Sequence, residues 1–137
     1  MTDYLPLRLS PGDDLRPALL AAIAARGCSA AFVVAGIGSL RDARLRLAGA
    51  AQPTLVSGDV EILTLSGTLG AGGGHLHASI ADAQGRVTGG HVGDGCLVRT
   101  TAEVLLLLLP ALDFAREADP RTGYPELVVR SAGQKKG

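Results

Sequence analysis

The chain has 137 residues, 13 Lys plus Arg against 13 Asp plus Glu, and a 47% hydrophobic fraction beside 19% charged residues. So large an apolar share can offset the entropy of ordering a chain of this length, which excludes a disordered polymer and implies one compact domain. Balanced charge removes the whole-molecule field that draws a protein onto a polyanion, so any contact with DNA would have to be local.

The opening MTDYLPLRLS carries charge and Pro where an export signal would hold its apolar core, and Cys28 and Cys96 form no CxxC pair. Both features point to a reducing cytoplasm and to cysteines that serve as packing. Leu5, Leu7 and Leu9 alternate with Pro6, Arg8 and Ser10, the period-two mark of a strand with one buried face. A helix follows. Asp13 or Asp14 is placed to cap it, Pro17 falls in its first turn, and Gly27 can close it in a left-handed conformation. Its apolar stripe runs through Leu15, Ala18, Leu19, Ala22, Ile23 and Ala25.

Ala30 to Ala35 reads as a buried strand ending in Gly36-Ile37-Gly38-Ser39. The third glycine of a dinucleotide loop would fall on Arg41, so Gly36 and Gly38 read as a structural turn or as a backbone nest for an anion or ligand. Arg44 and Arg46 alternate with Leu45 and Leu47 in an amphipathic strand, a solvated arginine face in preference to a phosphate-binding stripe. Val60, Ile62 and Leu65 mark a further strand in which Glu61 is a lone acid.

The stretch from Gly72 to Val98 is the most specific. All three histidines, His75, His77 and His91, fall within seventeen residues. His75 and His77 lie two apart in a strand and project from one face. Asp82-Ala83-Gln84-Gly85 has the form of a type I turn followed by a left-handed glycine bulge. Pairing residue 82 with 86 then sets His77 opposite His91 with His75 diagonal, whereas a plain two-residue loop would turn His91 to the other face. Three neutral imidazoles at about 2.0–2.1 Å from a centre make a divalent-metal shell with a fourth position for water or substrate. Zinc is the first choice, and iron, nickel or manganese stay open. The plainer alternative is three partly exposed or interface histidines, with the flanking glycines present only for bends.

After Gly93-Asp94-Gly95, CLVRTTAEVLLLLLP reads as a central strand covered on both sides, its longest apolar run far short of the roughly 20 residues that span a bilayer. Glu103 interrupts that run, and an acid in a covered strand needs a partner or a metal. The remainder reads as a charged ADPRTGYPE turn, a short LVVR strand and a loose tail from Ser131, with Lys135-Lys136 too small a pair for a nucleic-acid arm.

LRLSPGDDL at 7–15, AAFVVAGIGSL at 30–40, VEILTLSGTL at 60–69, GHLHASIADAQGRVTGGHVGDG at 74–95 and RTTAEV at 99–104 together resemble the plants-and-prokaryotes-conserved (PPC) domain family. The resemblance implies an α+β fold over residues 1–130, with a mixed, largely antiparallel sheet flanked by helices and residues 131–137 as a flexible tail. It also implies a homotrimer and a metal or ligand site at His75, His77 and His91. Plant relatives join this domain to an AT-hook, and bacterial members are often described as DNA-binding. The Arg-Gly-Arg-Pro core of such a hook is missing here, since Arg26-Gly27 is followed by Cys28.

The histidine pattern also resembles that of acetolactate decarboxylases, which implies metal-assisted chemistry on a small oxygenated molecule. For such an enzyme Glu61 and Glu103 are the candidate catalytic acids, and Arg44 or Arg99 the candidate carboxylate partners. Three functions follow as expectations: a trimeric metal protein holding a small ligand, a metal-dependent lyase, and a DNA-associated module.

Overall fold

The structure, a computed structural model, describes residues 3–134; the expected Lys135-Lys136 pair lies outside the described residues. The chain runs β1 (Asp3–Leu9), α1 (Leu15–Ala25), β2 (Ala30–Arg46), β3 (Thr54–Gly70), β4 (Gly73–Ala81), β5 (Val87–Val92), β6 (Leu97–Leu108), β7 (Leu112–Asp119) and β8 (Tyr124–Ser131). The first six strands form one sheet in the order β1-β6-β2-β3-β4-β5, and β7 and β8 form a separate hairpin. β2 also pairs with β5 through Leu45↔Val92 and Arg46↔His91, so the sheet curls back on itself beside the histidines.

Two expectations about architecture are corrected. α1 is the single α-helix among the described residues, so helices do not flank the sheet. Every strand pairing is antiparallel, and the parallel contact among the described residues is the isolated bridge Ser29↔Asp113. Within α1 the buried stripe narrows to Leu15, Leu19 and Ile23, which pack into the core. Asp14 holds the N-cap position as expected, but neither aspartate side chain bonds a helix amide: Asp13 accepts the Ser10 N–H at 2.8 Å and Asp14 the Gly95 N–H at 2.8 Å. Gly27 does close the helix, at φ 62°.

The expected Gly36–Ser39 turn is also corrected, because β2 runs unbroken through it for 17 residues. Glycine serves close packing there instead of a loop. A Cβ at Gly36 would sit 3.0 Å from Leu65, and one at Gly38, where φ is +151°, would sit 2.4 Å from the Thr101 carbonyl oxygen. Bulges on either side absorb the irregularity and keep Val33, Leu40, Ala43 and Leu45 in the core.

β6 is not covered on both sides. Val98, Ala102, Val104, Leu106 and Leu108 are buried while Leu105 and Leu107 stay half-buried on the outer face. There, paired residues form a row across the sheet, Tyr4–Leu107–Phe32–Thr68–His75, apolar at the β1 end and polar at the β4 end. β7 and β8 form an eight-pair hairpin from Leu112↔Ser131 to Asp119↔Tyr124, so Ser131 lies in a strand. The hairpin docks through buried Phe114, set edge-on to Phe32 at 5.6 Å, and through a short hydrogen bond between Ser29 and Asp113. No helix among the described residues is long and apolar enough to cross a membrane.

Candidate metal centre and its cleft

The β4–β5 turn has the register the sequence predicts. Asp82 N–H donates to the Arg86 carbonyl at 3.0 Å, Gly85 adopts φ 77°, and the ladder runs Ala81↔Val87 out to His77↔His91. Asp82 fixes the turn by accepting the Gln84 and Arg86 N–H groups on Oδ1 and the Arg86 guanidinium on Oδ2. Leu76, Ala78 and Ile80 point into the core, so the alternate residues His75 and His77 must point out.

The three rings converge. His75 Nε2 and His77 Nε2 each lie 3.2 Å from His91 Nδ1, and the ligand nitrogens of all three residues lie within 4.8 Å of one another. One imidazole nitrogen carries either one proton or one lone pair, so it cannot serve two ring partners as a hydrogen bond. A shared ion would resolve the crowding, because ligand nitrogens about 2.0–2.1 Å from a four-coordinate centre would lie about 3.3–3.4 Å apart. The protonation states suit this. His75 is held below its ordinary pKa by burial, then by the Arg116 charge and His77, against an opposing pull from Glu126. His91 is lowered by burial and by the Arg46 charge. Both rings therefore favour the neutral form that ligates a metal.

His75 and His91 open onto a cleft of about 690 Å³, whose charged lining also includes Arg16, Arg46, Asp94, Arg116 and Glu126. The glycines before His75 make room for arginines. A Cβ at Gly72 would sit 2.8 Å from the Arg116 backbone nitrogen, and one at Gly73 3.2 Å from Arg16 Nη2. Arg16 donates to the Gly74 carbonyl and pairs with Asp94 at 2.9 Å. Arg116 donates to Thr68 Oγ1 at 2.8 Å, and Arg46 to the Ala50 carbonyl at 3.3 Å.

The other expected site residues lie elsewhere. Glu61 is exposed on β3 opposite Ala81, four positions along β4 from His77. Glu103 is exposed on β6 between Arg8 and Ile37. Neither lines the cleft. Arg99 pairs with Asp59 at 3.0 Å, and the Arg44 side chain lies where a Cβ on Gly95 would meet it at 2.8 Å. Gly36 and Gly38 are inside the sheet. Cys96 is fully buried, exchanges hydrogen bonds with the Arg44 backbone and has its thiol pKa raised chiefly by burial, which suits packing and not a nucleophile.

Arg46, Arg116 and Glu126 are the cleft residues that sequence reasoning missed as site residues. The alternation of Arg44 with Arg46 offered one signal. Arg116 and Glu126 gave none, because the hairpin carrying them reads as a turn and a short strand.

A family model described as the Plants and Prokaryotes Conserved (PCC) domain matches residues 3–110. Among solved structures, a hypothetical protein from Salmonella cholerae-suis (Salmonella enterica) is 39% identical at TM-score 0.91, with 96% of each chain covered. The metal-containing protein AF0104 from Archaeoglobus fulgidus is 25% identical at TM-score 0.79, covering 92% of this chain and 93% of that one. Structures at 17% and 22% identity that carry a provisional DNA-binding description share the fold, and at that identity the likeness extends no further. The bifunctional protein GlmU of Synechococcus sp. (strain JA-3-3Ab) is 46% identical over 129 residues, which are 94% of this chain and 21% of that protein. The chain thus spans about a fifth of that curated relative.

Proposed function

Because the chain belongs to the Plants and Prokaryotes Conserved domain family, we propose that it is a homotrimeric protein holding a divalent metal, zinc in first place, on His75, His77 and His91, with a small oxygenated ligand in the adjoining cleft. The observation that carries the metal reading is the convergence of two Nε2 atoms on the single Nδ1 of His91. The description of AF0104 as metal-containing supports it. Support for the trimer comes from the outer sheet face, where Tyr4, Phe32, Val34, Ile37 and Leu63 leave a large apolar patch exposed. A second copy of the chain on that patch would stand beside the histidines, since both occupy one face of the sheet.

A metal-dependent lyase is the second reading, and Glu126 favours it as a cleft carboxylate beside His75 that, unlike Asp94, is not ion-paired with Arg16. Bound at the imidazoles, a divalent ion supplies Lewis acidity toward a carbonyl or hydroxyl oxygen. The chain itself would hold the ligand's charge with Arg46 and Arg116 and move a proton at a Glu126 carboxylate oxygen. In this reading Glu126 takes the place expected of Glu61 and Glu103. DNA association has no motif of its own in the chain, and its charge is balanced.

Metal analysis of untagged protein tests the proposal. The expected result is about one divalent ion per chain, lost in His77→Ala with more than about 100-fold weaker binding, while sedimentation still reports three copies. Wild-type protein that binds no divalent ion at micromolar concentration would overturn the metal reading, and a monomer would overturn the trimer. Salt-sensitive duplex binding that survives His77→Ala would move the assignment to DNA.

A further inference from the structure

Two guanidinium groups in the cleft have no carboxylate partner among the described residues. The ion pairs of the described residues occupy Arg16, Arg86, Arg99, Arg121 and Arg130, and leave Arg46 and Arg116 with one neutral oxygen acceptor each. They arrive from different elements: Arg46 from the end of β2 where it pairs with β5, and Arg116 from β7. Both are half-buried, and both line the cavity that His75 and His91 open into. Both guanidinium groups share that lining with the two imidazoles, and Arg46 is paired with His91 across the β2–β5 ladder. Cations held this close lower the affinity of a neighbouring site for a metal ion. A fold gains nothing by desolvating two of them there unless an anion enters with the ligand.

We infer that Arg46 and Arg116 form the anion-binding side of the cleft and that its ligand is a small carboxylate. The inference rests on the reading that the cleft holds a small ligand. Guanidinium forks match the two oxygens of a carboxylate or those of a phosphate. Glu126 decides between them. Arg16 is neutralised by Asp94, so the protein's own uncompensated charge is two guanidinium groups against one carboxylate. A planar carboxylate can offer both its oxygens to the forks and leave an uncharged substituent for Glu126, whereas a phosphate has a further charged oxygen to set against that carboxylate, a local repulsion that stands whatever charge an ion at the imidazoles adds. Gly72 adds an independent mark of construction, because any side chain there would collide with the Arg116 backbone and displace the arginine from the cleft.

The test is a titration of zinc-loaded and metal-free protein with lactate and, separately, inorganic phosphate, followed through backbone amide shifts. Saturable lactate binding with shifts at His75, His91 and Arg116 is expected, weakened about tenfold or more in each of Arg46→Gln and Arg116→Gln. Arg99→Gln, whose arginine is paired with Asp59 outside the cleft, should bind as wild type does. Zinc affinity should hold or rise in both cleft variants, a change that loss of folding would not produce. Unaltered lactate binding in both variants, or none in wild type, overturns the inference. Binding of phosphate with lactate ignored overturns the carboxylate assignment. Zinc binding measured in the same samples reports on the metal centre separately, so lactate binding without zinc would remove the metal reading and keep this one.

Discussion

Two hairpins face each other across one cleft, and they are held in different ways. β4–β5 belongs to the main sheet, with Leu76, Ala78, Ile80 and Val92 sunk in the core beneath it. β7–β8 forms its own two-stranded sheet, with Phe114 as its buried apolar anchor and Arg116–Thr68 and Ser29–Asp113 as polar ties. The first can hold three imidazoles to a fixed geometry, because shifting one of them means shifting the core. The second offers Arg116 and Glu126 on an element outside the main sheet, so their side chains are carried by a different backbone from that of the histidines. In the proposed reading the metal ligands sit on the main sheet alone, while the ligand is held from both sides, by Arg46 of β2 and by Arg116 of the hairpin.

The sharpest way to break that division is at Gly67. It sits at φ +140°, and a Cβ there would lie 2.0 Å from the His75 carbonyl oxygen. Gly67→Ala should therefore cost about 3 kcal/mol or more in unfolding free energy and lose metal with it, since β3 and β4 must part at His75. A thermal melt together with metal stoichiometry reads both effects. Phe114→Ala comes next. Removing a buried ring should cost up to about 3 kcal/mol, and the damage should stay local. Hydrogen exchange should quicken through β7 and β8 while one metal ion per chain is retained. Metal loss on undocking this hairpin would show that the two halves of the cleft are not independent.

The same division explains what could be read in advance. The β4–β5 register was legible because the turn chemistry of Asp82 and Gly85 dictates it, and a one-residue slip would have turned His91 inward. The strand at Leu5–Leu9 was legible from its alternation. Gly36–Ser39 was misread because glycine punctuates loops and also permits close strand contact, and only the neighbours Leu65 and Thr101 tell which. The leucine run of β6 suggested two covered faces, whereas one chain covers only one. Arg116 and Glu126 were beyond reach, because no local pattern says that a hairpin some forty residues after His75 folds back over it. That contact is tertiary, written in the match between Phe114 and Phe32 and in the space left by Gly72.

The smallest expected effect separates the two turns, which share one device. Asp82 accepts two backbone N–H groups and the Arg86 guanidinium, and Asp119 accepts the Arg121 N–H and guanidinium. Asp82 is held below the ordinary carboxylate pKa of 3.8 chiefly by the Arg86 N–H, and Asp119 chiefly by the Arg121 side chain. A depressed carboxylate supports the fold above its unfolded pKa and loses that support as pH falls through the lower folded value. Amide shifts of Gly85 and Arg86, and of Arg121 and Thr122, should thus hold constant down to about pH 4 and move only below it. Asp82→Asn and Asp119→Asn should each abolish the corresponding step and leave the fold intact at neutral pH. Only the first should weaken zinc binding, because only that turn sets His77 opposite His91; equal zinc affinity in the two variants would show that the strand ladder alone holds the imidazoles in register.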